Sequence, residues 1–120
     1  MADRILKAPR SARTLLFWQA KAPEEVVERG FEWSDVLLSP AERARLAAGE
    51  TLTPAHGIKA SSYVLPQGIV ASGSSNTATL ALVTLTGGEL GKVYSVTNRI
   101  ETASGQQLER VVRLRIRAKG

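Results

Sequence analysis

Two stretches near the end of the chain alternate between apolar and polar side chains with a period of two. Over Val93–Thr102, Tyr94, Val96, Asn98 and Ile100 fall on one parity, and Ser95, Thr97, Arg99 and Glu101 on the other. From Gln106 to about Arg117, Leu108, Val112, Leu114 and Ile116 share one parity, and Glu109, Arg113, Arg115 and Arg117 share the other. Successive side chains on a strand point to opposite faces, so each stretch buries one face and wets the other. Ala103, Ser104, Gly105 and Gln106 supply a reversal, and the pair is predicted to form a long β-hairpin. Two strands alone cannot shield an apolar face, so the hairpin calls for a second layer.

The rest of the chain supplies candidates for that layer. Residues 23–33 read as a first core strand, with Val27, Phe31 and Trp33 on one parity and Gly30 as a candidate bulge. Ser39-Pro40-Ala41-Glu42 is a helix start. The serine can cap, proline fits the first helical position, and Glu42 completes a capping box. A helix of about two turns follows, and Gly49 stops it. Residues 49–54 then read as a short strand closed by Pro54, and residues 58–65 as another, ended by a Pro66-Gln67-Gly68 turn. Residues 69–71 form a short strand, 72–76 a polar turn, and 77–85 a Thr-, Val- and Leu-rich strand. About seven short strands separated by turns predict an all-β fold, an immunoglobulin-like Greek-key β-sandwich with one short inserted helix. A small barrel is the alternative. Tyr94, after a Gly-containing turn, is a candidate tyrosine corner.

Residues 1–22 differ from the remainder. They are basic, lack a sustained period, and carry one apolar run, Leu15-Leu16-Phe17-Trp18. They are expected to form an extended N-terminal arm ahead of a single domain over residues 23–120. Phe17 and Trp18 either pack on the domain's own core or insert into a neighbouring subunit.

Charge sharpens the picture of both ends. Arg4, Lys7, Arg10, Arg13 and Lys21 face only Asp3 in the first segment, and Arg110, Arg113, Arg115, Arg117 and Lys119 face only Glu109 in the last. Basic ends suit an acidic protein partner or nucleic acid, and they also suit a solvated sheet edge guarded against aggregation. Arg113, Arg115 and Arg117 form a stripe fit for phosphates, but no aromatic residues interleave with it as a base-stacking platform would require. The carboxylates Glu24, Glu25, Glu28, Glu32 and Asp35 cluster without a pocket signature, so an acidic surface is favoured over acid–base chemistry.

Candidate chemistry is sparse. There is no Cys and a single His, His56, so a conventional zinc site has too few ligands. No Gly-x-Ser-x-Gly elbow supports a Ser–His–acid triad, and Gly87, Gly88 and Gly91 lack the Gly-Lys-Ser/Thr of a phosphate loop. No catalytic residue, cofactor or metal is expected. No apolar run reaches the length of a membrane-spanning helix.

Several motifs occur in a fixed order: Pro23-Glu24-Glu25-Val26 before an aromatic strand ending in Trp33, Gly49-Glu50-Thr51-Leu52, and Tyr63-Val64-Leu65-Pro66-Gln67-Gly68-Ile69. Ser75-Asn76-Thr77 then leads into a Thr-rich strand ending Leu85-Thr86-Gly87-Gly88, and the Tyr94-to-Gly105 hairpin with Arg110 closes the series. In this order the chain resembles the small fiber–tail adaptor proteins of short-tailed bacteriophages. The helix near residues 40–48 stands as an insertion, and Tyr63 occupies a position where the family pattern has Trp. The resemblance implies a structural virion protein, assembled in the bacterial host cytoplasm. It would bridge the portal–adaptor neck to tail fibers in multiple copies by docking rather than catalysis. It implies partner contacts through the arm, at Arg10, Arg13, Leu16, Phe17 and Trp18, and through Arg113, Arg115 and Arg117. The alternatives are a nucleic-acid-binding β-domain using the Arg stripe and a glycan-binding adhesion module.

Overall fold

The computed structural model describes residues 4–118. Among them, β1 (Ile5–Lys7), β2 (Val27–Glu32), β5 (Leu80–Gly87) and β4 (Ile69–Asn76) form one sheet in that spatial order. β3 (Ile58–Val64), β6 (Val93–Thr102) and β7 (Gln107–Arg115) form the second. The inward faces of the two sheets meet in one core that includes Phe31, Val83, Leu85, Val96, Val112 and Leu114. This is a two-layer, predominantly β architecture. No helix of the described residues is long and apolar enough to cross a membrane.

The hairpin follows its alternation. β6 and β7 pair antiparallel without interruption from Val93↔Arg115 to Glu101↔Gln107. Tyr94, Val96, Asn98, Ile100 and Thr102 are buried, and the intervening positions are exposed or half-buried. The helix start is also as expected. Ser39 caps α2 (Pro40–Ala47), accepting from the Glu42 N–H while the Glu42 carboxylate accepts from Ser39 N–H. A second, single-turn helix, α1 (Ser34–Leu37), precedes it.

Three expectations are corrected. Residues 72–76 are not a turn: β4 continues through them to Asn76 with an irregularity between Ala71 and Gly73. Their polar sequence hides a strand because β4 is a sheet edge whose outer half needs no apolar side chains. The turn falls later, where Thr77 Oγ1 accepts from the N–H groups of Thr79 and Leu80. Residues 49–54 lie outside both sheets and pair with no strand of the described residues. Gly30 does not bulge β2, which pairs with β5 in continuous register. It is glycine because a Cβ there would lie 2.5 Å from the Ala81 carbonyl oxygen.

The N-terminal segment is extended and lies on the sandwich. β1 pairs parallel with β2 at the edge of the four-stranded sheet. Residues 16–21 then run parallel to β7 at the edge of the other sheet. There Trp18 N–H donates to Arg113 O (3.0 Å), Arg113 N–H to Leu16 O (2.9 Å) and Lys21 N–H to Arg115 O (3.0 Å). The Trp18 ring is 1% exposed, packs 5.8 Å from Phe31 and 6.2 Å from Tyr63, and donates its indole N–H to Gly30 O.

Candidate functional site

Three cations fasten this segment, and all three are buried. Lys21 Nζ, 1% exposed, donates to the carbonyls of Ala22 (2.7 Å), Pro23 (3.2 Å) and Gly87 (2.6 Å). Arg29 donates to Gln19, Ala20 and Glu28 carbonyls. Arg110 donates to those of Pro9, Arg10 and Glu109, and its guanidinium stacks 5.1 Å from the Trp33 ring centre. Burying charge is costly unless hydrogen bonds replace the lost water. Here backbone carbonyls do so, and six of the carbonyls used belong to residues 9–23. Burial pushes the pKa of all three groups down, opposed at Lys21 by the carboxylates of Glu25 and Glu24. These cations hold the chain to itself and are not offered to a partner.

The exposed cations sit elsewhere. Arg113, Arg115 and Arg117 all point outward from β7 and its extension, away from the core. Among the described residues the ion pairs are Arg43–Asp35, Arg45–Glu50, Lys92–Glu89 and Arg99–Glu109, so the stripe is not neutralised by any of them. Paired residues on neighbouring strands share a face, which fixes what lies beside the stripe. Arg113 is level with Ser95 on β6 and with Phe17 on the arm, and Arg115 is level with Val93. The Arg115 guanidinium lies 4.5 Å over the Phe17 ring. One row further along, Val64, Thr97 and Val111 cross the sheet side by side, both valines exposed. Leu15, two residues before Phe17, is 62% exposed. The outer face of the three-stranded sheet thus carries an apolar row and a basic flank that no ion pair among the described residues neutralises.

The structure brings four of the expected contact residues together on this face: Phe17, Arg113, Arg115 and Arg117. It separates the other four. Trp18 belongs to the chain's own core, so insertion into a neighbouring subunit is corrected for this residue: its ring is enclosed and its N–H already bonded. Leu16 is half-buried against the same core. Arg10 turns its Nε to the Asp35 carbonyl at α1 (3.2 Å), and Arg13 is exposed in the turn between them. The valine row was missed in the sequence, although its parity with Arg113 on β7 and Thr97 on β6 carried the signal.

Other chemistry is confined to the loops. His56 Nδ1 is 2.8 Å from Ser104 Oγ, both exposed. The neighbouring Glu42 carboxylate is engaged by the N–H groups of Ser39 and Ala55. No group of His, Asp and Glu side chains suited to a metal occurs among the described residues.

A family model described as podophage GP4 fiber-tail adaptor protein gp77 matches residues 21–115. The chain belongs to this family. The fiber–tail adaptor match spans both sheets except β1 and the arm residues ahead of Lys21. Membership makes the protein a structural component of the phage tail, and hence of the virion. It gives no support to the nucleic-acid-binding alternative. No curated protein matches the chain.

Proposed function

We propose that this fiber–tail adaptor docks through the outer face of its three-stranded sheet, with Phe17, Arg113, Arg115 and Arg117 as the principal contacts. One observation carries the reading: three exposed arginines, without an ion pair among the described residues, and a half-buried aromatic ring share a face with an apolar row. Such a face complements a surface with carboxylates around an apolar centre. Arginine and aromatic side chains are the types that most often dominate binding energy at interfaces. The partner is a neck protein of the portal–adaptor assembly or the tail fiber, and the adaptor acts in multiple copies around the tail. Repetition converts weak individual contacts into firm attachment. The function is docking, not catalysis, and assembly takes place in the host cytoplasm.

The sandwich serves as a rigid spacer of the immunoglobulin-like Greek-key kind. Its strand order, β1-β2-β5-β4 against β3-β6-β7, supports that assignment. So does Tyr94, whose hydroxyl accepts from the Glu89 N–H five residues upstream.

The test is the triple variant Arg113→Ser/Arg115→Ser/Arg117→Ser. All three side chains are exposed, so the melting temperature should stay close to that of the parent. Particles assembled with the variant should lose tail fibers or lose the adaptor itself. Full fiber and adaptor content in those particles would refute the docking face.

A further inference from the structure

Each sheet has two edges, and three of the four are protected. Residues 16–21 cover β7, β1 is only three residues long, and β3 carries Lys59 beside an irregularity between Ile58 and Ala60. The remaining edge, β4, is different. Residues 73–76, Gly-Ser-Ser-Asn, pair regularly with β5 on one side and with no strand of the described residues on the other. They carry no charge and no proline, the usual guards of an exposed edge. A Cβ added at Gly73 would meet nothing within 4 Å, so a side chain can be placed on the sheet face beside this edge.

The same chain holds an unpaired strand-like segment of matching length. Residues 50–53, Glu-Thr-Leu-Thr, precede a proline and have strand composition, yet they lie in neither sheet. Among the described residues, Thr51, Leu52 and Thr53 make no turn or loop backbone hydrogen bond. Glu50 brings its own counterion, Arg45, at 3.2 Å, so the segment can meet a neutral edge without an unpaired charge.

We infer that residues 50–53 of one copy add as a strand to the 73–76 edge of β4 in a second copy. An extended segment on a free edge gains main-chain hydrogen bonds in alternation, with little demand on side-chain identity, which suits the small residues of this edge. Donor and acceptor are different surfaces, so the contact is heterologous. Repeated, it closes into a ring if the rotation allows and otherwise extends. The inference rests on the multi-copy part of the proposed function and gives that part its geometry. It leaves the basic face free for the other partner.

The absence of Cys makes the test direct. Single-cysteine variants Thr51→Cys, Gly73→Cys and Ser75→Cys are mixed in donor–acceptor pairs at high concentration and oxidised, after each is shown to melt like the parent. A disulfide needs Cα atoms within about 7 Å, so only residues that meet will join. Native mass spectrometry of the unmodified protein, and the copy number per purified particle, are measured alongside. The expected result is a mixed 51–73 or 51–75 dimer in at least tenfold excess over either homodimer, abolished by Ser74→Pro in the acceptor. Multiple copies per particle with no mixed product, or with 75–75 dimers prevailing, would overturn this contact and leave the multi-copy reading standing. A single copy per particle would overturn both.

Discussion

If the arm is part of the core, replacing Trp18 should damage the fold far more than replacing its neighbour Phe17. Trp18→Ala deletes an enclosed ring that packs on Phe31 and Tyr63 and removes the indole bond to Gly30 O. Large-to-small substitutions of buried aromatics cost about 3–5 kcal/mol. Folded domains have a total stability of only about 5–15 kcal/mol, so much of the margin disappears. At several degrees per kcal/mol for a chain of this size, the melting temperature should fall by roughly 10 °C or more. Phe17→Ala removes a half-buried ring on the outer face and its contact with Arg115. A cation–π contact at an exposed site contributes about 0.5–1 kcal/mol, so this variant should melt within a few degrees of the parent. Thermal unfolding followed by circular dichroism reads both. Equal small losses, with Trp18→Ala melting like the parent, would refute the packing of the arm into the sandwich.

Further consequences follow from other positions. Removal of residues 1–22 should leave a chain without cooperative unfolding, because the β7 edge and the guanidinium groups of Arg29 and Arg110 lose their carbonyl partners; a sharp calorimetric transition would contradict this. Gly88→Ala should destabilise by about 1–3 kcal/mol, from strain and overpacking together. Its φ is +100° and the new Cβ would lie 2.6 Å from Ile116 Cδ1, whereas Gly73→Ala, with open space, should be near neutral in urea titrations. The capping bonds hold the Glu42 carboxyl below its ordinary pKa of 4.5, so the ionised form stabilises the fold. That contribution is complete above the ordinary value and is lost as pH falls through the depressed one. Glu42→Gln should therefore be less stable than the parent near neutral pH, and the two melting temperatures should converge in acid.

The hairpin was legible because β6 and β7 each bury one parity and expose the other, and the helix start because capping needs particular side chains at fixed spacing. Polar residues on an exposed edge hid β4, where pairing with β5 decides the conformation and local composition does not. The segment 49–54 failed in the opposite sense: its composition suits a strand, but a strand needs a partner, and this segment pairs with neither sheet of its own chain among the described residues. The buried cations were partly readable. Arg110 shares the parity of Leu108 and Val112, and Arg29 that of Val27 and Phe31, so alternation alone placed both inward. Nothing local marked Lys21, whose carbonyl partner Gly87 is 66 residues away. The proposed docking face was half readable in the same way. The arginine stripe lies on one strand, but the ring of Phe17 reaches it only because the arm runs parallel to β7.

This adaptor is expected to meet its partner through the outer face of the three-stranded sheet, and a cryo-electron microscopy map of the neck and tail in an intact particle would show that contact. The expected map has a partner seated on that face, with Arg113, Arg115 and Arg117 against carboxylates and Phe17 covered. A map with the adaptor in place but this face open to solvent, and attachment made through the helical end instead, would contradict it.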